Sequence, residues 1–454
     1  MAPQAHTHTA VRPLAGRSVV VGLGRTGLSC ARYLRSRNVS FAVTDSRVAP
    51  PELPALKEIA PDAEISVGRF DERLLDGATQ VIASPGVSLN EPFMLAAARR
   101  GLPIIGDIEL FAREARAPIA AITGTNGKST VTTLVARMAE AAGKRVLAGG
   151  NLGRPALELL SEPVPELYVL ELSSFQLDTT HSLHAAAATV LNVTPDHMDR
   201  YENLRAYADS KARIFSRCDA AIVNLDDLQV RDMGRTARKV IGFSLLKNPR
   251  AAYYAAEAAG DVALMRGNER LALMSELKIT GLHNAANALA ALAMAEALSV
   301  DRSASLEALR TFPGLAHRSQ WVADVAGVRY VDDSKGTNVG ATLAAVAGMA
   351  GTLIVIAGGQ GKGQDFTPLA PAFRNKVRHV VLIGQDAQLI AQALEGVCTV
   401  EFANDMDAAV RACARSAQPT ETVLLSPACA SLDMFRDYAH RGDVFSQAVR
   451  SLQS

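Results

Sequence analysis

Ile119-Ala-Ala-Ile-Thr-Gly-Thr-Asn-Gly-Lys-Ser-Thr130 reads as a strand, a glycine turn and the first turn of a helix. Pro118 to Ile122 is a short apolar run of the kind a sheet buries, and the helical pattern that Lys128, Ser129 and Thr130 open continues through Leu134, Val135 and Met138. Such a junction points backbone N–H groups and a positive helix end at a phosphate chain. Lys128 is placed to neutralise the outer phosphates, and the Ser129 hydroxyl stands where a Mg²⁺ ligand belongs. The usual phosphate-loop pattern has a glycine at the position that Ile122 occupies, so this loop is a variant of it. A nucleoside triphosphate is its expected ligand. An ordinary βα turn is the weaker reading, because Lys-Ser-Thr at a helix start has no packing purpose.

Working outward, strand-like runs alternate with helical patterns almost throughout the 454 residues, which predicts α/β domains with mainly parallel sheets. That length calls for two to four cores. The first block opens with Ser18-Val-Val-Val-Gly22, an amphipathic segment from Leu28 to Leu34, and strands at Phe41–Asp45 and Val81–Ser84; Pro50, Pro51 and Pro54 mark a surface loop. Around the quoted stretch, Tyr168–Leu172, Ala187–Asn192 and Ala220–Asn224 are strands ending in polar residues, Phe243 to Ile279 reads as a small antiparallel insertion, and Leu282 to Leu298 as a well-buried helix. After Thr311-Phe-Pro-Gly-Leu315, a linker, come strands at Val328–Val331, Thr352–Ala357, Val377–Gly384 and Thr422–Ser426. The expected domains are 1–107, 108–313 and 314–454.

Lys and Arg total 47 against 46 Asp and Glu, which argues against a nucleic-acid binder. No apolar run is long enough for a membrane span, and Met1 to Thr9 lacks the apolar core of a signal peptide. The five cysteines form no CxxC pair and are expected to be reduced, buried hydrophobes. A soluble cytoplasmic protein fits these features.

Gly22-Leu-Gly-Arg-Thr-Gly27 follows a strand, and Asp45 ends the next one where a ribose-binding acid would stand. The motif serves NAD and other nucleotides equally well. Glu171 ends a buried strand and could complete a Mg²⁺ shell begun by Ser129; capping of the next segment is its bland reading. His197, between Asp196 and Asp199, is a candidate ligand or acid/base group, while Lys211 reads by default as a solvated surface residue. Asp332–Asn338, Gly358–Gly363 (with Lys362) and Ser426–Asp433 are three donor-rich loops on one block, which favours a binding surface over mere turns.

Taken together these segments resemble the Mur ligases, ATP-dependent amide-forming enzymes of bacterial cell-wall synthesis. The likeness runs in order from Val19 to Phe445. The Gly124–Thr130 loop is shared with the wider superfamily, folylpolyglutamate synthase included. Gly22–Ser29, Leu170–Leu177, Asn192–Tyr201, Asp333–Asn338 and Leu425–Asp433 point to the branch that adds D-glutamate to UDP-N-acetylmuramoyl-L-alanine. The Asp-Asn-Pro-Arg sequence of the diaminopimelate-adding relatives is absent.

The resemblance implies three domains: a Rossmann-like N-terminal one for the UDP-substrate, a central P-loop-type ATPase domain with a mainly parallel sheet, and a C-terminal Rossmann-like one. Gly24, Arg25, Thr26, Asp45, Ser46, Arg47, Ser84, Pro85, Gly86 and Asn151 match the UDP-substrate contacts. Gly124, Thr125, Asn126, Gly127, Lys128, Ser129, Thr130, Asn284, Asn287, Arg318, Asp333 and Lys335 match the ATP contacts. Thr337, Lys362, Ser431, Leu432 and Tyr438 match positions around the amino acid, where the family usually has Phe in place of Tyr438 and Ala in place of Gly336. Ser129 and Glu171 correspond to ligands of one Mg²⁺, and His197 to a ligand of a second. Lys211 corresponds to a carbamylated lysine, whose oxygen-donor anion suits Mg²⁺ where an ammonium would be repelled. Lys128, Glu171, His197 and Lys211 are thus the expected catalytic set, ATP and two Mg²⁺ the expected cofactors, and a monomer the expected state.

Overall fold

The computed structural model describes residues 16–452, so the segment Met1 to Thr9 lies outside the described residues. Among the described residues, 20 strands form three sheets. The first holds β1 (Arg17–Val21), β2 (Phe41–Asp45), β3 (Glu64–Val67), β4 (Ala78–Ala83) and β5 (Ile104–Ile105), all parallel, in the order β3-β2-β1-β4-β5. Val20, Val43 and Ile82 enter one core while Val19, Val21, Ala42 and Val81 enter another. Burial on both faces is why these strands read as unbroken apolar runs. The strand order reverses between β1 and β4, which opens a crevice at their carboxyl ends, beside Gly22–Gly27 and Ser84–Val87.

The central sheet holds β6 (Ile119–Thr123), β7 (Val146–Gly150), β8 (Leu167–Glu171), β9 (Ala185–Val190), β10 (Cys218–Asn224), β11 (Lys239–Ser244), β12 (Ala251–Ala258), β13 (Asp261–Arg266) and β14 (Glu269–Leu273). Its order is β14-β13-β12-β11-β10-β9-β6-β8-β7. The antiparallel reading of Phe243 to Ile279 holds for β12 to β14, but the piece is no separate insertion. It extends the main sheet, because β11 pairs in parallel with both β10 and β12. Helix Leu282–Ala297 buries ten of its 16 residues, as its all-round apolar pattern predicts, and lies in one core with helix Lys128–Ala141.

The third sheet holds β15 (Gln320–Val325), β16 (Val328–Asp332), β17 (Leu353–Gly358), β18 (Val377–Ile383), β19 (Thr399–Phe402) and β20 (Thr422–Leu425), in the order β15-β16-β20-β17-β18-β19. Only the edge strand β15 runs antiparallel to its neighbour. Strands that the sequence pattern missed, such as β3, β5, β15 and β19, are short or half-exposed edges with little apolar signal. Pro54 does not lie in a loop but in the first turn of helix Leu53–Ile59, where its missing N–H costs nothing. The five cysteines are free, four of them buried and Cys398 half-buried. Among the described residues no helix is long and apolar enough to cross a membrane.

Candidate active site

The loop after β6 has the geometry of a phosphate cradle. Gly124 and Gly127 both have positive φ, +150° and +84°. A Cβ at Gly127 would lie 2.4 Å from Asn287 Oδ1 and would sit on a left-handed backbone, so glycine suits the position. Asn192, at the end of β9's loop, accepts from Asn126 N (2.8 Å) and donates to Asn126 O (3.1 Å), fixing the loop from the neighbouring strand. Lys128 curls back so that its ammonium donates to the carbonyls of Gly124 and Thr125, both at 2.8 Å. Burial holds its pKa below the usual lysine value. Arg318, from the segment that leads into β15, donates to Ser129 Oγ at 2.9 Å.

Glu171 ends β8 and is 3% exposed. Capping of the following helix is done by Ser173 and Gln176, not by Glu171. Its Oε1 accepts from Asn151 Nδ2 at 2.7 Å, whereas Oε2 is buried with no hydrogen-bond partner. A buried carboxylate oxygen left without a donor is the feature a hard cation satisfies. Lys211 is not the solvated residue its sequence suggests. It is 1% exposed, donates to Gly124 O at 3.0 Å, and lies 4.4 Å over the Tyr207 ring. Burial first, and then the Lys128 ammonium, push its pKa well below the usual lysine range. An amine depleted of its proton is the form that adds CO₂ to become a carbamate.

His197 has φ +59° and packs edge-on against the Phe175 ring at 4.9 Å. Its pKa is lowered to about 4, by burial above all, with Lys362, Lys128 and Lys211 adding and Asp196 opposing. A neutral imidazole results, which is the form that binds a metal. Among the described residues no group of three His, Cys, Asp or Glu side chains is arranged to hold a metal ion by itself. A Mg²⁺ bound here would need hydroxyl, phosphate and water oxygens besides Glu171 and His197, a donor set that suits this ion.

Two cavities flank this cluster. The larger, about 700 Å³, lies at the β1/β4 crevice and is lined by Gly24, Arg25, Thr26, Asp45, Ser46, Arg47, Ser84, Pro85, Gly86 and Asn151, every residue expected for the UDP-substrate. Asp45 accepts from Leu23 N (2.6 Å) and from Arg47 (2.6 Å to Nη2), so its carboxylate shapes the loop and holds Arg47 in place. The smaller cavity, about 250 Å³, is lined by Asn126, Gly127, Thr130, Asn284, Asn287, Arg318, Asp333 and Lys335. Burial pushes Asp333 up to about 7 and Lys335 down to about 7. Phe243, His283 and Asn224 line this cavity too, as do Gln176 and Arg200 the larger one; Gln176 and Arg200 fall within sequence motifs, but none of the five was expected as a site residue.

The amino-acid set is less gathered. Thr337, Lys362, Ser431, Leu432 and Tyr438 line neither cavity. The Lys362 ammonium reaches Asp196 Oδ1 at 3.2 Å. The Tyr438 ring lies 3.7 Å beneath the Lys335 ammonium, Ser431 is buried, and Leu432 is 68% exposed.

Three α/β units around one phosphate-type loop, with a dinucleotide-type crevice on one side and donor-rich loops on the other, are the architecture of a nucleotide-dependent enzyme. Family models match along the chain: a MurD-like N-terminal domain over residues 16–106, a Mur ligase middle domain over 122–295, and a Mur ligase glutamate ligase domain over 317–429. Proteins named UDP-N-acetylmuramoylalanine--D-glutamate ligase are 53% identical in Nitrosococcus oceani (97% of this chain, 98% of the relative) and 50% identical in Methylobacillus flagellatus (96% and 97%). The chain belongs to the Mur ligase family. Solved structures share the fold at lower identity. They include a pseudomurein peptide ligase type C from Methanothermus fervidus (17% identical, TM-score 0.63, 96% of this chain and 100% of that one). Another is the UDP-N-acetylmuramate-alanine ligase MurC from Thermotoga maritima (18%, 0.61, 96% and 100%).

Proposed function

We propose that this chain joins D-glutamate to UDP-N-acetylmuramoyl-L-alanine, converting ATP to ADP and phosphate, as a step of peptidoglycan precursor synthesis in the cytoplasm. The observation that carries the reading is the hydrogen bond between Asn151, which lines the larger cavity, and Glu171, at the end of β8 beside the phosphate loop. It joins the pocket for a UDP-sugar to the place where ATP is activated. The functional division is 1–107 for the UDP-substrate, 108–313 for ATP and 314–454 for the amino acid and closure, and the chain acts as a monomer.

A carboxylate is a poor electrophile at neutral pH. The alanyl carboxylate oxygen attacks the γ-phosphorus of ATP, the bond to the bridging oxygen breaks, and ADP leaves. The glutamate amine then attacks the acyl phosphate carbon. A tetrahedral intermediate loses its proton, and phosphate departs as the C–O bond breaks. Two anions must meet in the first step, so positioning and charge neutralisation are the main catalytic contributions. Lys128 supplies charge at the phosphates from the helix N-terminus. Glu171 and Ser129 would hold one Mg²⁺, and His197 with a carbamylated Lys211 a second; such ions would supply positive charge to neutralise phosphate oxygens. If its imidazole holds a metal ion, His197 is a poorer candidate for the base that deprotonates the amine. Lys362, now paired to Asp196, turns to a glutamate carboxylate. The relatives' names, their coverage of nearly the whole chain, and the ten matching residues in one cavity support this reading.

The test is release of ADP or phosphate from ATP with UDP-N-acetylmuramoyl-L-alanine, comparing D-glutamate, L-glutamate, lysine and diaminopimelate. Release only with D-glutamate is expected. Release only with another amino acid would move the chain to a sister ligase or a folylpolyglutamate synthase-like activity.

A further inference from the structure

Arg200 belongs to the turn that carries His197, since its amide donates to His197 O at 2.9 Å. Its guanidinium nevertheless leaves that turn and reaches the first domain, where Nη1 donates to Gly86 O (3.2 Å) and Nη2 to Val87 O (3.1 Å). Those carbonyls belong to the loop after β4 that walls the larger cavity, and Arg200 itself lines the cavity. The guanidinium also lies 4.4 Å over the Phe175 ring. That ring is the platform for His197 (4.9 Å, edge-on) and stacks on Tyr201 (5.7 Å, 3°). Tyr201 in turn donates to Asp178 at 2.8 Å and meets Ser210, the neighbour of Lys211, at 3.3 Å.

One side chain thus touches the wall of the UDP-sugar pocket and the aromatic platform that fixes the metal-side groups. A guanidinium has five N–H donors in a rigid plane, and two of them are used on the loop carbonyls. A shift of the Ser84–Val87 loop around a ligand must therefore be passed to Arg200, and by the Phe175 ring to His197. We propose that Arg200 is a positioning residue that couples occupancy of the UDP-sugar pocket to the placement of His197 and Lys211. The inference rests on the proposed substrate. It predicts reciprocal coupling, in which each ligand tightens the other by the same factor.

The experiment measures binding of UDP-N-acetylmuramoyl-L-alanine to the full chain by calorimetry, with and without ADP and Mg²⁺. Wild type should bind several-fold more tightly when ADP and Mg²⁺ are present. Arg200→Ala should bind with the same affinity in both conditions, and Arg200→Lys, which keeps charge but not the two-pronged contact, should stay close to Arg200→Ala. Phe175→Leu, which leaves both carbonyl contacts in place, should lose the coupling while keeping affinity for the UDP-sugar alone. Thermal melts of the three variants identify any that fails to fold; a folded Arg200→Lys or Phe175→Leu suffices. A folded variant with the wild-type ratio, or no coupling in wild type, would overturn the inference. No binding of the UDP-sugar by wild type at all would instead sink the proposed function.

Discussion

The side-chain amides of Asn126 and Asn338 face each other across the central and C-terminal sheets and exchange two hydrogen bonds, of 3.3 and 3.2 Å. Asn338 also donates to Asp196 at 3.3 Å and accepts from Ala341 N at 2.8 Å, so it caps helix Val339–Gly348 as well. With Arg318 on Ser129 and Lys362 on Asp196, these are polar contacts that substrates can displace, and the third unit should close further when substrates bind. Asn338→Ala should lose about 1 kcal/mol through the cap and also raise the KM for ATP. Asn338→Asp keeps the cap acceptor but puts a carboxylate beside Asp196, and should raise KM with a smaller loss of melting temperature. Scattering profiles identical with and without an ATP analogue and UDP-substrate would rule closure out.

Lys211 is enclosed by Gly124 O, the Tyr207 ring and the nearby Lys128 charge. As a carbamate it replaces a buried, proton-poor amine with an anion that both Lys128 and a divalent cation would favour. Lys211→Arg, which cannot be carbamylated, should lower kcat about 100-fold and also lower the melting temperature, because a guanidinium keeps its charge where the buried lysine gives its up. Stripping CO₂ and bicarbonate from the buffer should slow wild type and leave Lys211→Arg unchanged. A fully active Lys211→Arg would remove the carbamate from the mechanism.

Gly27 has no room for a methyl group, since a Cβ there would lie 2.0 Å from Gly22 O. Gly27→Ala forces helix Arg25–Ser36 away from β1 and widens the phosphate-facing turn. Affinity for the UDP-substrate should fall about 10-fold or more, with ATP affinity unchanged because that site hangs on another sheet. Equal losses at both sites would mean global damage instead.

Asp107 is 1% exposed, with Oδ2 accepting from Gln176 Nε2 at 3.0 Å and Oδ1 lacking a partner. Burial raises its pKa from 3.8 to about 6. The folded chain therefore holds a proton there that the unfolded chain has lost between those values, and stability falls as pH rises through this window. Asp107→Asn, which cannot ionise and keeps an acceptor for Gln176, should be near neutral at pH 4 and stabilising by up to about 3 kcal/mol at pH 8. Melting temperatures of both proteins across that range test the sign; a gain at pH 4 that vanishes at pH 8 would contradict it.

Much of the site was legible because phosphate loops use local chemistry. Gly124–Thr130 is contiguous, as are Gly22–Gly27 and Ser84–Gly86, and each lies at the carboxyl end of an apolar strand where ligands bind a doubly wound sheet. Pocket residues with ordinary surroundings were not legible. His283 and Phe243 line the smaller cavity only because helix Leu282–Ala297 and β11 come to lie beside the loop. Arg200 had a signal of position, three residues beyond His197, but none of direction.

The sequence by itself determined the buried central strands, the two phosphate-type turns and the family, because backbone conformation and apolar runs depend on near neighbours. Only the tertiary structure decided protonation and partnership. Lys211 is a surface lysine in any local reading and becomes a buried, proton-poor amine because Gly124 and Lys128 are brought against it from 87 and 83 residues away. Desolvation and Coulomb energies depend on what surrounds a charge in space, and chain distance carries no record of it.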